Sequence, residues 1–290
     1  MHKQLYLLVF ALLFSACIST SQNNSKQPVK TGAEVLIDHH LDELADKRIG
    51  LVMNPTARVN NVHMLDTLRA RGMNITALFA PEHGFRGEAG AGEIIEDGID
   101  RETGLPVHSL YGSTRKPTQE MLNDTDLLIF DIQDVGVRYY TYIATLGLVL
   151  EAAAEADIPV WILDRPNPLG GNYISGWILE EEFKSFVGPY PIPAVHGLTI
   201  GEIGLMMKNK KWINYENEPI VNVIKMEGWE RDMIWPDTGL EWIPPSPNLS
   251  TFNQAFFYSG TVFFEGTDFS EGRGTEKPFL TAGVCRHKFK

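Results

Sequence analysis

Short apolar runs alternate with amphipathic stretches along most of the chain, and Gly, Pro, Asn and Asp mark the boundaries. Residues 48–54, 75–80, 126–132 and 159–163 are apolar almost throughout, the composition of strands buried on both faces. Shorter runs at 106–112, 222–229 and 261–265 are also read as strands. Between them, Val62, Leu65 and Leu68 recur at spacings of three and predict a helix over 61–71. Further helices are predicted at 35–44, around 117–123, from about 140 to Asp157, over 199–212 and near 251–257. Thr199 suits the N-cap of the fifth, with Glu202 three residues on as its capping-box partner. Strands alternating with helices imply an α/β fold with a mostly parallel sheet and right-handed crossovers. Regularity declines over 170–198, which is rich in Gly, Pro and aromatics. A Pro-rich loop follows at 242–247, and a polar, Gly-rich run at 265–278.

The first residues read differently. Lys3 precedes an apolar run at 5–14 that is too short to span a bilayer, and Ser15-Ala16-Cys17 closes it. This is the pattern of a secretory signal, and the small residues ending at Cys17 resemble a bacterial lipobox, although Phe14 stands where Leu is usual. The expectation is a signal at 1–17, lipidation at Cys17, and a polar Gln/Asn/Ser-rich tether over 18–31. The chain would then be exported, as a periplasmic or cell-surface lipoprotein held to a membrane by its N-terminal lipid. Cys285 is the only other cysteine, so neither a disulfide framework nor a cysteine metal site is proposed.

With 290 residues, 43% of them hydrophobic and 21% charged, the chain has room for one large α/β domain with an appendage. Its formal charge of −12 and the absence of a Lys/Arg stripe argue against a nucleic-acid partner.

Candidate chemistry gathers where strands end. Asn54-Pro55, Pro81–Gly87, Asp134–Tyr140 and Asp164–Pro168 each follow an apolar run and carry polar residues. In a parallel sheet those C-terminal ends share one edge, where ligands bind. Gly87, Gly90 and Gly92 do not have dinucleotide spacing, and the neighbouring Glu88, Glu93, Glu96 and Asp97 would repel a pyrophosphate. Neither a P-loop nor a Gly-x-Ser-x-Gly elbow is present. The histidines lack helical ligand spacing, so no metal is assigned. Carboxylates are the better lead, since glycoside hydrolysis needs an acid at the leaving oxygen and a second group at the anomeric carbon. Glu82, Asp134, Asp164, Glu202, Glu265, Glu271 and Glu276 qualify by type, each with a plainer reading as a structural or solvated acid.

Five segments, in order, resemble the exo-β-N-acetylmuramidase family, formerly a domain of unknown function: 80–87 (APEHGFRG), 109–112 (SLYG), 131–142 (DIQDVGVRYYTY), 164–171 (DRPNPLGG) and 265–275 (EGTDFSEGRGT). The resemblance runs from about Gly32 to Phe279. It implies a Rossmann-like domain over 32–200 and a smaller α+β C-terminal domain over 201–290. That smaller domain is expected to be incomplete, because the family-like character fades after Phe279. The implied activity is release of N-acetylmuramic acid from non-reducing ends of peptidoglycan fragments, with no organic cofactor.

Carried over position by position, the resemblance makes Glu82 the first choice for the acid, with His83 beside it. Asp134, Glu265 and Glu271 are the candidate partner carboxylates. Arg86, Arg138, Arg165 and Arg273 fall within matched segments, and one or two of them are expected to grip the lactyl carboxylate of muramic acid. Asp164 and Asn167 are expected at the same substrate site. Tyr139, Tyr140 and Trp177 are candidate sugar platforms, with core packing as the plainer reading. Retaining, inverting and substrate-assisted mechanisms all remain open at this level. The competing function is a lipid-anchored protein that binds peptidoglycan sugars without cleaving them.

Overall fold

The computed structural model describes residues 28–87, 90, 92–94 and 96–284. The expected signal, Cys17 and nearly all of the tether lie outside the described residues. The described chain opens with α1 (Gly32–Val35), capped by Thr31 and continued by π and 3-10 turns to Leu44. The main sheet is built from β1 (Ile49–Met53), β4 (Ile75–Ala80), β5 (Gly98–Ile99), β6 (Pro106–Ser109), β7 (Leu127–Asp131), β8 (Val160–Leu163) and β9 (Val221–Ile224). A small hairpin, β2 (Arg58–Val59) with β3 (Val62–His63), follows β1. The other helices are α2 (Met64–Ala70), α3 (Gln119–Leu122), α4 (Tyr142–Glu155), α5 (Ile200–Asn209) and α6 (Phe252–Thr261). A second two-stranded piece, β10 (Phe269–Ser270) with β11 (Gly283–Val284), comes last.

The seven strands stand in the order β5-β6-β4-β1-β7-β8-β9, all parallel except the β5–β6 edge. The chain therefore builds outward from β1 through β4 and β6, then returns to add β7, β8 and β9 on the other side. This reversal beside β1 is the topological switch point of a doubly wound sheet, and it leaves a crevice at the C-terminal strand ends. β1, β7 and β8 are buried at every position, which is why their sequences are continuous apolar runs rather than alternating ones. One face packs Phe79, Phe130 and Ile162 under α4, α5 and α6, and the other packs Leu51, Met53 and Ile129 against α1 and α2.

Several boundaries differ from the sequence expectation. The helix expected over 61–71 begins only at Met64, because Asn60 and Asn61 adopt left-handed φ values of 48° and 64° and close the β2–β3 hairpin. The strand expected at 261–265 is a 3-10 turn, Val262–Gly266, that continues α6. A short run of aromatic and β-branched residues suits either state by composition, so packing decided it. The strands expected at 106–112 and 222–229 stop at Ser109 and Ile224. The expected division at 200/201 cuts through the sheet layer, since α5 covers β8 and β9, and β9 hydrogen-bonds to β8.

Candidate active site

β4 ends at Ala80, and a tight turn follows in which the Gly84 amide donates to the Pro81 carbonyl at 3.0 Å. His83 and Gly84 both take left-handed φ, 74° and 86°, so the chain reverses immediately after Glu82. Glu82 is half-buried, and both of its carboxylate oxygens accept hydrogen bonds. The Thr141 hydroxyl donates to Oε2 at 2.8 Å, and the Gly92 amide donates to Oε1 at 3.1 Å. Tyr111 lies against the same carboxylate; burial first, and then the Glu82 charge, raise its phenol above the ordinary range.

The segment after β7 supplies a second wall. Tyr139 donates its hydroxyl to the Ser259 carbonyl and so links the sheet edge to α6. Tyr140 packs edge-on against Tyr142 at 4.9 Å and Tyr258 at 5.9 Å. Its hydroxyl is buried without a hydrogen-bond partner among the described residues, and burial raises its pKa well above the usual phenol value. The turn after α6 forms the third wall. There the Arg273 guanidinium bonds Glu265, approaches Glu271 at 3.0 Å and lies over the Phe279 ring at 5.1 Å.

These walls enclose a cleft of about 230 Å³. Of the residues singled out from sequence, Glu82, His83, Tyr139, Tyr140, Glu265 and Arg273 line it. Glu271 is buried behind Arg273. The other expected site residues do not line the cleft, and most of their polar groups are engaged elsewhere. Asp134 Oδ2 accepts the Gly136 amide at 2.8 Å and lies 3.4 Å from His196 Nε2, while its Oδ1 is buried with no hydrogen-bond partner among the described residues. Asp131, at the end of β7, holds Arg165 through both of its oxygens, and the two side chains are almost fully buried. Asp164 accepts from the Thr199 hydroxyl and the Gly201 amide, both at 2.9 Å, and thereby caps α5. Asn167 bridges the Leu198 carbonyl and the Leu169 amide, both at 2.9 Å. Arg138 donates to the carbonyls of Trp177 and Ile192 at 2.7 and 2.6 Å, pinning that loop. Arg86 forks onto Asp100 at 2.7 and 3.0 Å and drives that carboxyl down to about 2. Trp177 is almost fully exposed and is not among the cleft residues.

Sequence reasoning missed Tyr111, Thr141, Ser246 and Tyr258, which also line the cleft. Tyr111 and Thr141 lie inside segments already singled out, so their position gave a signal that their chemistry did not. Ser246 and Tyr258 arrive by chain folding from more than 100 residues beyond Tyr139 and Glu82, and no local pattern marks them. Among the described residues, no group of three or more His, Cys, Asp or Glu side chains is placed to hold a metal ion.

Two family profiles match in tandem: exo-beta-N-acetylmuramidase NamZ, N-terminal, over residues 49–253, and its C-terminal counterpart over 256–287. The chain belongs to this family. The NamZ boundary at 253/256 falls just inside α6, beyond the last strand of the main sheet. The chain is 47% identical over 285 residues to peptidoglycan beta-N-acetylmuramidase NamZ of Bacillus subtilis, covering 96% of this chain and 67% of that protein. Two crystal structures of DUF1343 family proteins from Bacteroides fragilis share the fold. They have TM-scores of 0.80 and 0.78 and identities of 44% and 40%, and cover 87% and 89% of this chain. The chain spans 64% and 67% of those two proteins.

Proposed function

We propose that this chain is an exo-acting glycoside hydrolase that releases N-acetylmuramic acid from the non-reducing ends of peptidoglycan fragments. The observation that carries the reading is the Glu82 carboxylate at the end of β4, held by Thr141 and Gly92 in a cleft that also holds Glu265. Membership of the NamZ family and the name of the Bacillus relative support the same chemistry. In this reading Glu82, in its protonated form, gives its proton to the glycosidic oxygen as the bond from C1 to that oxygen breaks. The aglycone leaves as an alcohol. Glu265 is the second carboxylate in the cleft; it acts at C1, and water supplies the hydroxyl that finally stands there. Tyr140 and Tyr258 form an apolar wall for the sugar face. Asp134 is given no role in this reading, because it does not line the cleft.

The test is sugar release from a chromogenic N-acetylmuramic acid glycoside by the wild type and by Glu82→Gln. Removing a general acid is expected to lower the rate by roughly 10²- to 10⁴-fold with cooperative unfolding retained. An unchanged rate in Glu82→Gln removes that residue from the acid role. A folded wild type that binds the sugar but releases none replaces the hydrolase with a binding protein.

A further inference from the structure

Tyr111 stands between two openings. Its phenol faces Glu82 in the cleft, while its ring meets Phe186 at 6.1 Å. Past Phe186 runs a groove of about 720 Å³, bounded by the stacked rings of Tyr190 and Trp212, 5.9 Å apart and 17° from parallel. The Arg115 guanidinium lies at the junction, 4.3 Å above the Phe186 ring centre. A guanidinium stacked on an aromatic face is held in orientation while its in-plane N–H groups stay available for a carboxylate fork.

The other cations of the cleft and groove are already occupied. Lys116 pairs with Glu155 at 2.6 Å and Glu151 at 3.6 Å, Lys184 pairs with Glu181 at 2.7 Å, and Arg273 is shared by Glu265 and Glu271. Arg115 is exposed and has no carboxylate partner among the described residues. Its charge is nevertheless felt at Tyr111, where it opposes the effect of Glu82. The four arginines expected from sequence to grip a carboxylate are all engaged with protein groups.

We propose that Arg115, stacked on Phe186 and separated from Glu82 by Tyr111, binds the lactyl carboxylate of the terminal muramic acid and so sets the sugar specificity of the cleft. The inference rests on the hydrolase reading for the position of the scissile bond. In muramic acid the lactyl ether is on C3 and the glycosidic bond is on C1, so the two recognising groups must flank one pyranose. Tyr111 spans that interval, with Glu82 on one side and the Phe186–Arg115 stack on the other.

The experiment is calorimetric titration of free N-acetylmuramic acid and of its methyl ester into wild type, Arg115→Gln and Arg115→Lys, alongside the chromogenic assay. Arg115→Gln is expected to weaken binding of the acid roughly 10- to 100-fold, the size of a lost charge-assisted hydrogen bond. Binding of the uncharged ester should stay unchanged, and Arg115→Lys should recover part of the loss. The proposal is overturned if Arg115→Gln binds the acid as the wild type does, or loses acid and ester alike. It is equally overturned if the variant weakens only a longer glycan, since the carboxylate read would then belong to a sugar on the leaving side. Arg115-dependent acid binding without hydrolysis rejects the hydrolase and keeps this inference. Hydrolysis that Arg115→Gln leaves intact, with binding of the acid unaltered, does the reverse. A wild type that neither binds nor cleaves removes both.

Discussion

Burial raises the Asp164 carboxyl from 3.8 to about 6, even though the Gly201 amide, the Thr199 hydroxyl and the Arg165 amide all favour its charged form. Between those two values the folded chain keeps a proton that the unfolded chain has released. Stability from this group is therefore full below about pH 4 and falls as pH rises through 6. The loss is on the order of 3 kcal/mol across that window. Urea unfolding of Asp164→Asn should lack this downward slope; a slope identical to that of the wild type would show that the carboxyl titrates normally. Asp100 behaves in the opposite sense. The Arg86 fork holds it down at about 2 against the cost of burial, so its stabilisation is present above about pH 4 and lost as pH falls toward 2. The two aspartates differ because Asp164 lies deep with only neutral donors, whereas Asp100, less deeply buried, has a guanidinium beside it.

At the scale of elements, β7 and β8 are tied at their C-terminal ends by the Asp131–Arg165 pair as well as by backbone hydrogen bonds. The ion pair is buried, and neither of its residues lines the cleft. Arg165→Met would leave a carboxylate buried without its counter-charge, at a cost of about 3–5 kcal/mol. Replacing both partners with apolar side chains should restore much of that loss in denaturant unfolding. Equal destabilisation of the single and double variants would mean that the loss comes from the pair's own interactions rather than from an orphaned charge. The next connection depends on α5, whose Thr199 cap is satisfied twice, by Glu202 in the capping box and by Asp164 across the layer. Strand end and helix start are thus joined by one hydroxyl. This explains why the 164–171 segment is rich in polar residues without contributing a side chain to the cleft.

On the scale of the whole molecule, the cleft exists because the chain beyond residue 245 returns to the sheet edge. Phe279 is only 1% exposed and packs edge-on with Tyr258 at 4.8 Å, while its amide donates to the Glu271 carbonyl at 2.6 Å. Tyr139 reaches Ser259 from the other side of the junction. Phe279→Ala should cost about 3–5 kcal/mol. Its effect should be concentrated in the covering segment, with amide exchange over 252–284 accelerating well before that of β1, β4 and β7. Uniform acceleration across the sheet would instead show that the cover and the sheet unfold as one unit. The same variant should weaken sugar binding, because Tyr258, Glu265 and Arg273 all reach the cleft from this segment.

Sequence alone determined the parallel core and the strand end that brings Glu82 to the cleft. Residues buried on both faces must be apolar throughout, so β1, β7 and β8 were legible as runs, and Glu82 was legible as the polar residue at the end of β4. The capping box at Thr199 was legible too, because its partners lie three residues apart. Only the tertiary structure decided which of the other charged residues face the cleft. Asp134, Asp164 and Arg165 share strand-end positions with Glu82, yet their side chains turn into protein hydrogen bonds. Glu265, Arg273 and Tyr258 reach Glu82 only when the last helix folds back, and Arg115 gains its seat on Phe186 from a loop 71 positions away. Periodicity reports the burial of a segment's own faces. Which distant segments meet, and where a side chain points once they do, is decided by packing between elements that no local pattern encodes.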